Sequence, residues 1–125
     1  MKILGIDDNI DITELLSMTL SAMGHEFSFV NSGKEGVELI SEKKHDAVLL
    51  DLAMPEFSGL DVLRELESRG NLSDYNIILF TASSVSETEI NEFLGKGVRG
   101  IIRKPIEVDE LEKQILKLAS MTKFR

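Results

Sequence analysis

Apolar and polar positions follow two periods along this chain, and the switches between them divide it into ten short elements. Ile3, Leu4 and Ile6 form a short apolar strand that stops at Asp7-Asp8. Ile12, Leu15, Leu16, Thr19, Leu20 and Met23 then share one face at helical spacing, and Gly24 stands where a helix usually ends. Asp11, with Glu14 three residues on, reads as the start of that helix, and Ile10 is placed to staple Leu15. Phe27 and Phe29 alternate with polar neighbours over Glu26–Val30, which marks a strand nearer the sheet edge. Asn31-Ser32-Gly33 turns into a second helix, with Ser32 and Glu35 at capping-box spacing and Val37 and Ile40 facing inward.

The next run, Ala47-Val48-Leu49-Leu50, is continuously apolar, leads into Asp51 and is closed off by Pro55. Such a run reads as a strand buried on both faces, as in a parallel sheet. After a loop at residues 56–59, Leu60, Leu63 and Leu66 mark a third helix ending near Gly70. Ile77, Ile78, Leu79 and Phe80 make another fully apolar strand, running into Thr81. Ser86 and Glu89 then form a capping box, with Val85 placed against Ile90 as staple, for a helix whose apolar face is Ile90, Phe93 and Leu94. Gly100-Ile101-Ile102-Arg103 is a last short strand that meets Lys104-Pro105, and Leu111, Ile115, Leu118 and Ala119 line a final helix. Five strands alternate strictly with five helices. That order predicts a parallel sheet covered on both faces.

Composition narrows the class without changing this picture. The 125 residues show no linker, repeat or low-complexity stretch, so a single domain spanning residues 1–125 is expected. The absence of Cys excludes a disulfide framework and a thiolate metal site. No uninterrupted apolar segment is long enough to span a bilayer, and the N-terminus meets acid at Asp7-Asp8 too early for a signal peptide. A cytoplasmic protein without membrane contact is the natural expectation. The net charge of −8 argues against direct nucleic-acid binding by this chain, which needs a basic footprint. The same acidity suits a divalent cation or a basic partner surface.

All the strand ends of a parallel sheet lie on one edge, where ligands bind in open α/β sheets. Here those ends present Asp7-Asp8, Asp51, Thr81 and Lys104. Carboxylates brought close together repel one another and are usually held by a cation. With only oxygen ligands at this edge, the cluster favours Mg²⁺. An aspartate carboxylate can itself be a nucleophile and form an acyl phosphate. Phosphoryl transfer needs chiefly positioning and charge neutralisation, which a metal, the Lys104 ammonium and the Thr81 hydroxyl would supply. Taken singly, Asp7 and Asp8 could merely begin a helix, where acids suit the positive dipole end. Thr81 alone could be an ordinary strand residue, and Lys104 a surface charge. His25 and His45 stand outside the strand ends and read as surface or packing residues.

On IDDN (6–9), LLDLAMPEFSGLDVL (49–63), FTA (80–82) and RKP (103–105), the chain resembles the receiver domain of two-component response regulators, the fold of the chemotaxis regulator. The resemblance spans residues 2 to 119. It implies a flavodoxin-like (βα)5 doubly wound sheet in the order 2-1-3-4-5 and a cis peptide before Pro105. It implies Asp51 as phosphoacceptor, and Mg²⁺ bound by Asp8, Asp51 and the Ala53 backbone carbonyl, with Asp7 acting largely through water. Thr81 and Lys104 would be the phosphate partners. The implied phosphodonor is a sensor histidine kinase or phosphotransfer protein. The implied readout, to a downstream effector or output domain, is through the fourth helix, fifth strand and fifth helix. Such a domain catalyses its own phosphorylation and dephosphorylation and is a switch rather than a turnover enzyme.

The departures matter too. The family often carries Tyr or Phe three residues before the lysine, where this chain has Ile101. Ala53 and Ser83 flank the approach of a hydrolytic water and offer neither carboxylate nor amide to orient it. Two other readings compete. A haloacid-dehalogenase-like phosphatase wants a second Asp two residues after the first, where Ala53 stands. A pseudo-receiver would bind partners without being phosphorylated. The chain reads either as a stand-alone receiver or as one cut from a longer regulator or hybrid kinase.

Overall fold

The structure, a computed structural model, describes residues 1–70, 72–82 and 86–122. The elements are β1 (Lys2–Ile6), α1 (Ile10–Ala22), β2 (Glu26–Val30), α2 (Gly33–Ser41), β3 (Ala47–Asp51), α3 (Gly59–Arg69), β4 (Ile77–Thr81), α4 (Glu87–Gly95), β5 (Gly100–Arg103) and α5 (Val108–Thr122). All strand pairs are parallel, in the order β2-β1-β3-β4-β5. The parallel sheet that the alternation predicts is therefore observed, in the doubly wound strand order that the resemblance implies.

Period-two alternation along the strands sorts the core into two layers. Leu4, Ile6, Val48, Leu50, Ile77 and Leu79 pack with Val37 and Ile40 of α2, Val62, Leu63 and Leu66 of α3, and Ile90 and Phe93 of α4. On the other face Ile3, Leu49, Ile78, Phe80 and Ile102 pack with Leu16 and Leu20 of α1 and Leu111, Ile115 and Leu118 of α5. Every residue of β3 and β4 is buried, as continuous apolar runs require, whereas β2 is half exposed at the sheet edge. β1 and β3 are neighbours, yet α1 packs on one face and α3 on the other. The crevice between their carboxyl ends is the topological switch point at which such sheets bind ligands.

Several local expectations are corrected. α1 is capped not by Asp11 but by Asn9, whose side chain accepts from the N–H groups of Asp11 and Ile12. Either residue type suits an N-cap, but only Asn9 precedes a helical Ile10. The staple does not form, since Ile10 and Leu15 are both exposed. Leu15 lies about 100° around the helix from the buried Leu16, and the buried Thr13 takes up the inner face instead. α3 begins within the expected loop, because Ser58 and Asp61 form a full capping box. Gly59 allows that early start: a Cβ there would come within 2.2 Å of the Asp51 carbonyl oxygen. A four-residue 3-10 turn, Leu72–Tyr75, precedes β4 and was too short to show a period. Ser32 and Ser86 cap α2 and α4 as expected, accepting from the Glu35 and Glu89 N–H groups, but among the described residues neither glutamate side chain returns a bond to complete the box. The Val85 staple and Ser83 lie outside the described residues.

Candidate functional site

β1 and β3 end side by side at the switch point, β1 leading into two acids and β3 ending on a third. Asp7, Asp8 and Asp51 offer carboxylate oxygens that all lie within 4.8 Å of one another. Asp7 and Asp51 are buried, while Asp8 is exposed. From the far end of the sheet, Lys104 places its ammonium 3.0 Å from Asp7 Oδ2 and 3.5 Å from Asp51 Oδ1, with its charge 5.2 Å from the centre of the Phe80 ring. The Lys104 N–H donates to the Thr81 carbonyl at 2.8 Å, which fixes the start of the turn carrying this side chain. The peptide between Lys104 and Pro105 is cis, as the resemblance implied.

Backbone donors hold the acids in place. The Asn9 N–H donates to Asp7 Oδ1 at 2.9 Å, and the Ala53 N–H donates to Asp51 Oδ1 at 3.2 Å. Burial, and after it the charge of Asp7, push the Asp51 carboxyl up to about 6, against the opposing pull of Lys104 and the Ala53 N–H. Three carboxylates thus face one ammonium, and their charge is incompletely neutralised. Hard oxygen donors with excess negative charge, one of them open to solvent, are the donor set Mg²⁺ prefers. The residues present fit that ion.

Thr81 is fully buried at the end of β4, and its hydroxyl donates to the Ala82 carbonyl at 3.0 Å. Ala53 lies exposed just beyond Asp51. The structure therefore brings Asp7, Asp8, Asp51 and Lys104 together, with Thr81 beside them and its hydroxyl bonded to the backbone. His25 and His45 stay apart from this cluster. His25 Nδ1 lies 3.0 Å from the N-terminal amine, and His45 Nε2 lies 3.3 Å from Ser28 Oγ.

Two asparagines at the site escaped the sequence reading. Asn9 caps α1 and its N–H holds Asp7; its place directly after the acid pair was the available signal. Asn31 Nδ2 donates to the Asp7 carbonyl at 2.7 Å, and nothing in the turn sequence Asn31-Ser32-Gly33 announces that contact.

Comparison with known proteins agrees with this geometry. The family model described as the response regulator receiver domain matches residues 3–116. The response regulator MprA of Mycobacterium leprae is 36% identical over 124 residues, covering 98% of this chain and 53% of that protein. The chain thus spans about half the length of the curated relatives it matches. A response regulator receiver domain protein from Clostridium thermocellum superposes with a TM-score of 0.85 at 27% identity, covering 98% of this chain and 97% of that one. The response regulator TrrA of Thermotoga maritima, solved in complex with Mg(2+)-BeF, gives a TM-score of 0.80 at 32% identity, covering 94% of this chain and 97% of its own.

Proposed function

The chain belongs to the response regulator receiver domain family, and from that premise we propose that Asp51 is the residue that accepts a phosphoryl group from a histidine kinase or phosphotransfer protein. One observation carries this assignment. Of the three clustered acids, Asp51 alone ends a central, fully buried strand while also touching Lys104. An Asp51 oxygen attacks phosphorus, the bond to the donor's imidazole nitrogen or acyl oxygen breaks, and that leaving group takes the electron pair. The product is a mixed anhydride on Asp51.

Mg²⁺, held by Asp7, Asp8, Asp51 and the Ala53 backbone carbonyl, would supply charge neutralisation on the transferring phosphoryl oxygens. Lys104 already stands beside the Asp51 oxygen that its ammonium would share with the phosphoryl group. The Thr81 hydroxyl can leave the Ala82 carbonyl and donate to a phosphoryl oxygen instead, so the new charge pulls on the ends of β4 and β5. On this reading the chain is a switch acting on itself, in the cytoplasm, with α4, β5 and α5 as the surface shown to an effector or output domain.

Intact-mass measurement with Mg²⁺ and acetyl phosphate tests the assignment. One phosphoryl group should be gained, lost again at high pH, and absent in Asp51→Asn, whose amide is no comparable nucleophile. No gain with any donor would favour a receiver that binds without being phosphorylated.

A further inference from the structure

β1 and β2 run in parallel register up to the pair Ile6 and Val30. One more ladder bond follows, from the Asp7 N–H to the Val30 carbonyl at 3.3 Å. In a continuing parallel ladder the Asp7 carbonyl would next accept from the N–H of residue 32. The chain has already turned by then, because Ser32 is the N-cap of α2. The Asn31 side chain fills that role, with Nδ2 donating to the Asp7 carbonyl at 2.7 Å.

That carbonyl belongs to the peptide joining Asp7 to Asp8, the two acids β1 brings to the site. Their side chains differ in support. The Asp7 carboxylate is held by the Asn9 N–H and by Lys104. Among the described residues nothing hydrogen-bonds the Asp8 carboxylate, which is exposed. Where Asp8 points is therefore set by its backbone, and the peptide plane before it is fixed by Asn31. We propose that Asn31 is a positioning residue for the metal-binding acids, acting through the Asp7–Asp8 peptide; the proposal rests on the phosphoacceptor reading above.

Asn31 is itself exposed, so in Asn31→Ala water can take its place on the Asp7 carbonyl and the fold loses little, whereas Leu covers that carbonyl without a donor and costs more. Metal affinity should suffer more, as it does when groups that orient ligands are removed. The test is calorimetric Mg²⁺ titration of the whole chain, paired with thermal melting of the metal-free protein. Asn31→Leu keeps the shape but loses the donor, and Asn31→Ala, which adds no apolar surface, runs beside it. Both should weaken Mg²⁺ binding by roughly tenfold, the lower end of what losing an outer partner of a metal site costs, while the metal-free Tm of Asn31→Ala stays within about 2 °C of wild type. Asn31→Gln, which keeps an amide on a longer stem, should recover part of the affinity. Phosphorylation by acetyl phosphate should slow in Asn31→Leu at low Mg²⁺ and return to the wild-type rate at saturation. Unchanged Mg²⁺ affinity in the folded variants overturns the proposal. So does a loss that simply tracks a fall in metal-free Tm. A wild-type chain that binds Mg²⁺ but is not affected by these changes sinks this proposal alone; one that binds no Mg²⁺ sinks the phosphoacceptor reading with it.

Discussion

Lys104 and Asp7, separated by almost the whole chain, meet as an ammonium and a carboxylate oxygen 3.0 Å apart, with side-chain exposures of 21% and 2%. The same ammonium also faces Asp51, so in the metal-free protein one cation offsets two buried anions. Lys104→Met keeps the stem against Phe80 and removes the charge. Metal-free stability at pH 7.5 should fall by about 1–3 kcal/mol, less than for a fully buried pair because Lys104 keeps some solvent contact. Mg²⁺ should restore most of that loss, since it binds only the folded cluster, and its affinity should be maintained or raised. Thermal melting with and without Mg²⁺ checks both points. A loss that Mg²⁺ leaves untouched would mean that the Lys104 charge acts through the Phe80 ring rather than through the two acids.

The Asp51 carboxyl, raised from 3.8 to about 6, sets a pH dependence of definite sign. Between those values the folded protein holds a proton that the unfolded chain has released. Its contribution to stability is therefore present below pH 4 and lost as pH rises toward 6, a difference of at most about 3 kcal/mol. Asp51→Asn has no such slope, so it should be more stable than wild type above pH 6, with the gap closing below pH 4. Urea midpoints measured across that range decide it. Mg²⁺ must displace the same proton, so its affinity should drop by about tenfold per unit below pH 6. A flat affinity from pH 5 to pH 7 would remove Asp51 from the metal's ligands.

Most of this arrangement was legible in the sequence because two facts are local. A run such as Ala47-Val48-Leu49-Leu50 is apolar on both faces only if both faces are buried, and parallel strands so buried must end on one edge. Asp7, Asp51 and Lys104 follow from that. Other features depend on geometry that no local pattern carries. Asn9 and Asp11 are equally good caps, and the choice between them rests on where Asp7 needs an N–H. The Asn31 contact depends on the β1–β2 register. The direction of the Thr81 hydroxyl is a side-chain rotation, settled by the nearby Ala82 carbonyl.

Lys43 stands in left-handed backbone, at φ 56°, just after the C-terminus of α2, with its N–H donating to the Ile40 carbonyl at 3.0 Å. That position favours Gly, and a residue with a Cβ costs about 1 kcal/mol there. Against this, the Lys43 ammonium lies 5.6 Å from the centre of the Tyr75 ring, an exposed contact of about 0.5 kcal/mol. Lys43→Gly should therefore stabilise the protein by about 0.5 kcal/mol and raise Tm by about 2 °C. Lys43→Ala loses the ring contact without relieving the backbone, and should lower Tm. If both variants move Tm the same way, backbone strain is not the controlling term.

The last prediction concerns how phosphorylation leaves the site. A phosphoryl group on Asp51 adds roughly −1.5 to −2 charge within reach of Thr81 and Lys104. Thr81 must then release the Ala82 carbonyl, and the Lys104 N–H already ties that same Thr81 to the turn after β5. Arg103 pairs with Glu87 at the start of α4, so β5 and α4 are linked as well. The change should therefore run through residues 82–90 and 98–106, of which 83–85 lie outside the described residues. Ile101 limits its size. It pairs with Leu79 and packs against the core beneath α4, and a β-branched side chain with a stiff χ1 cannot swing into vacated space as an aromatic can. Backbone NMR with Mg²⁺ and beryllofluoride should show a modest shift centred on those two segments, while α1 stays quiet beyond Asp8 and Asn9. Thr81→Ala should keep the shifts next to Asp51 and lose the distant ones, because a modification moves such an equilibrium only by what it contacts differently in the two states. Ile101→Tyr should enlarge the response. Full-size distant shifts in Thr81→Ala, or changes concentrated in α1, would show that the signal takes another path.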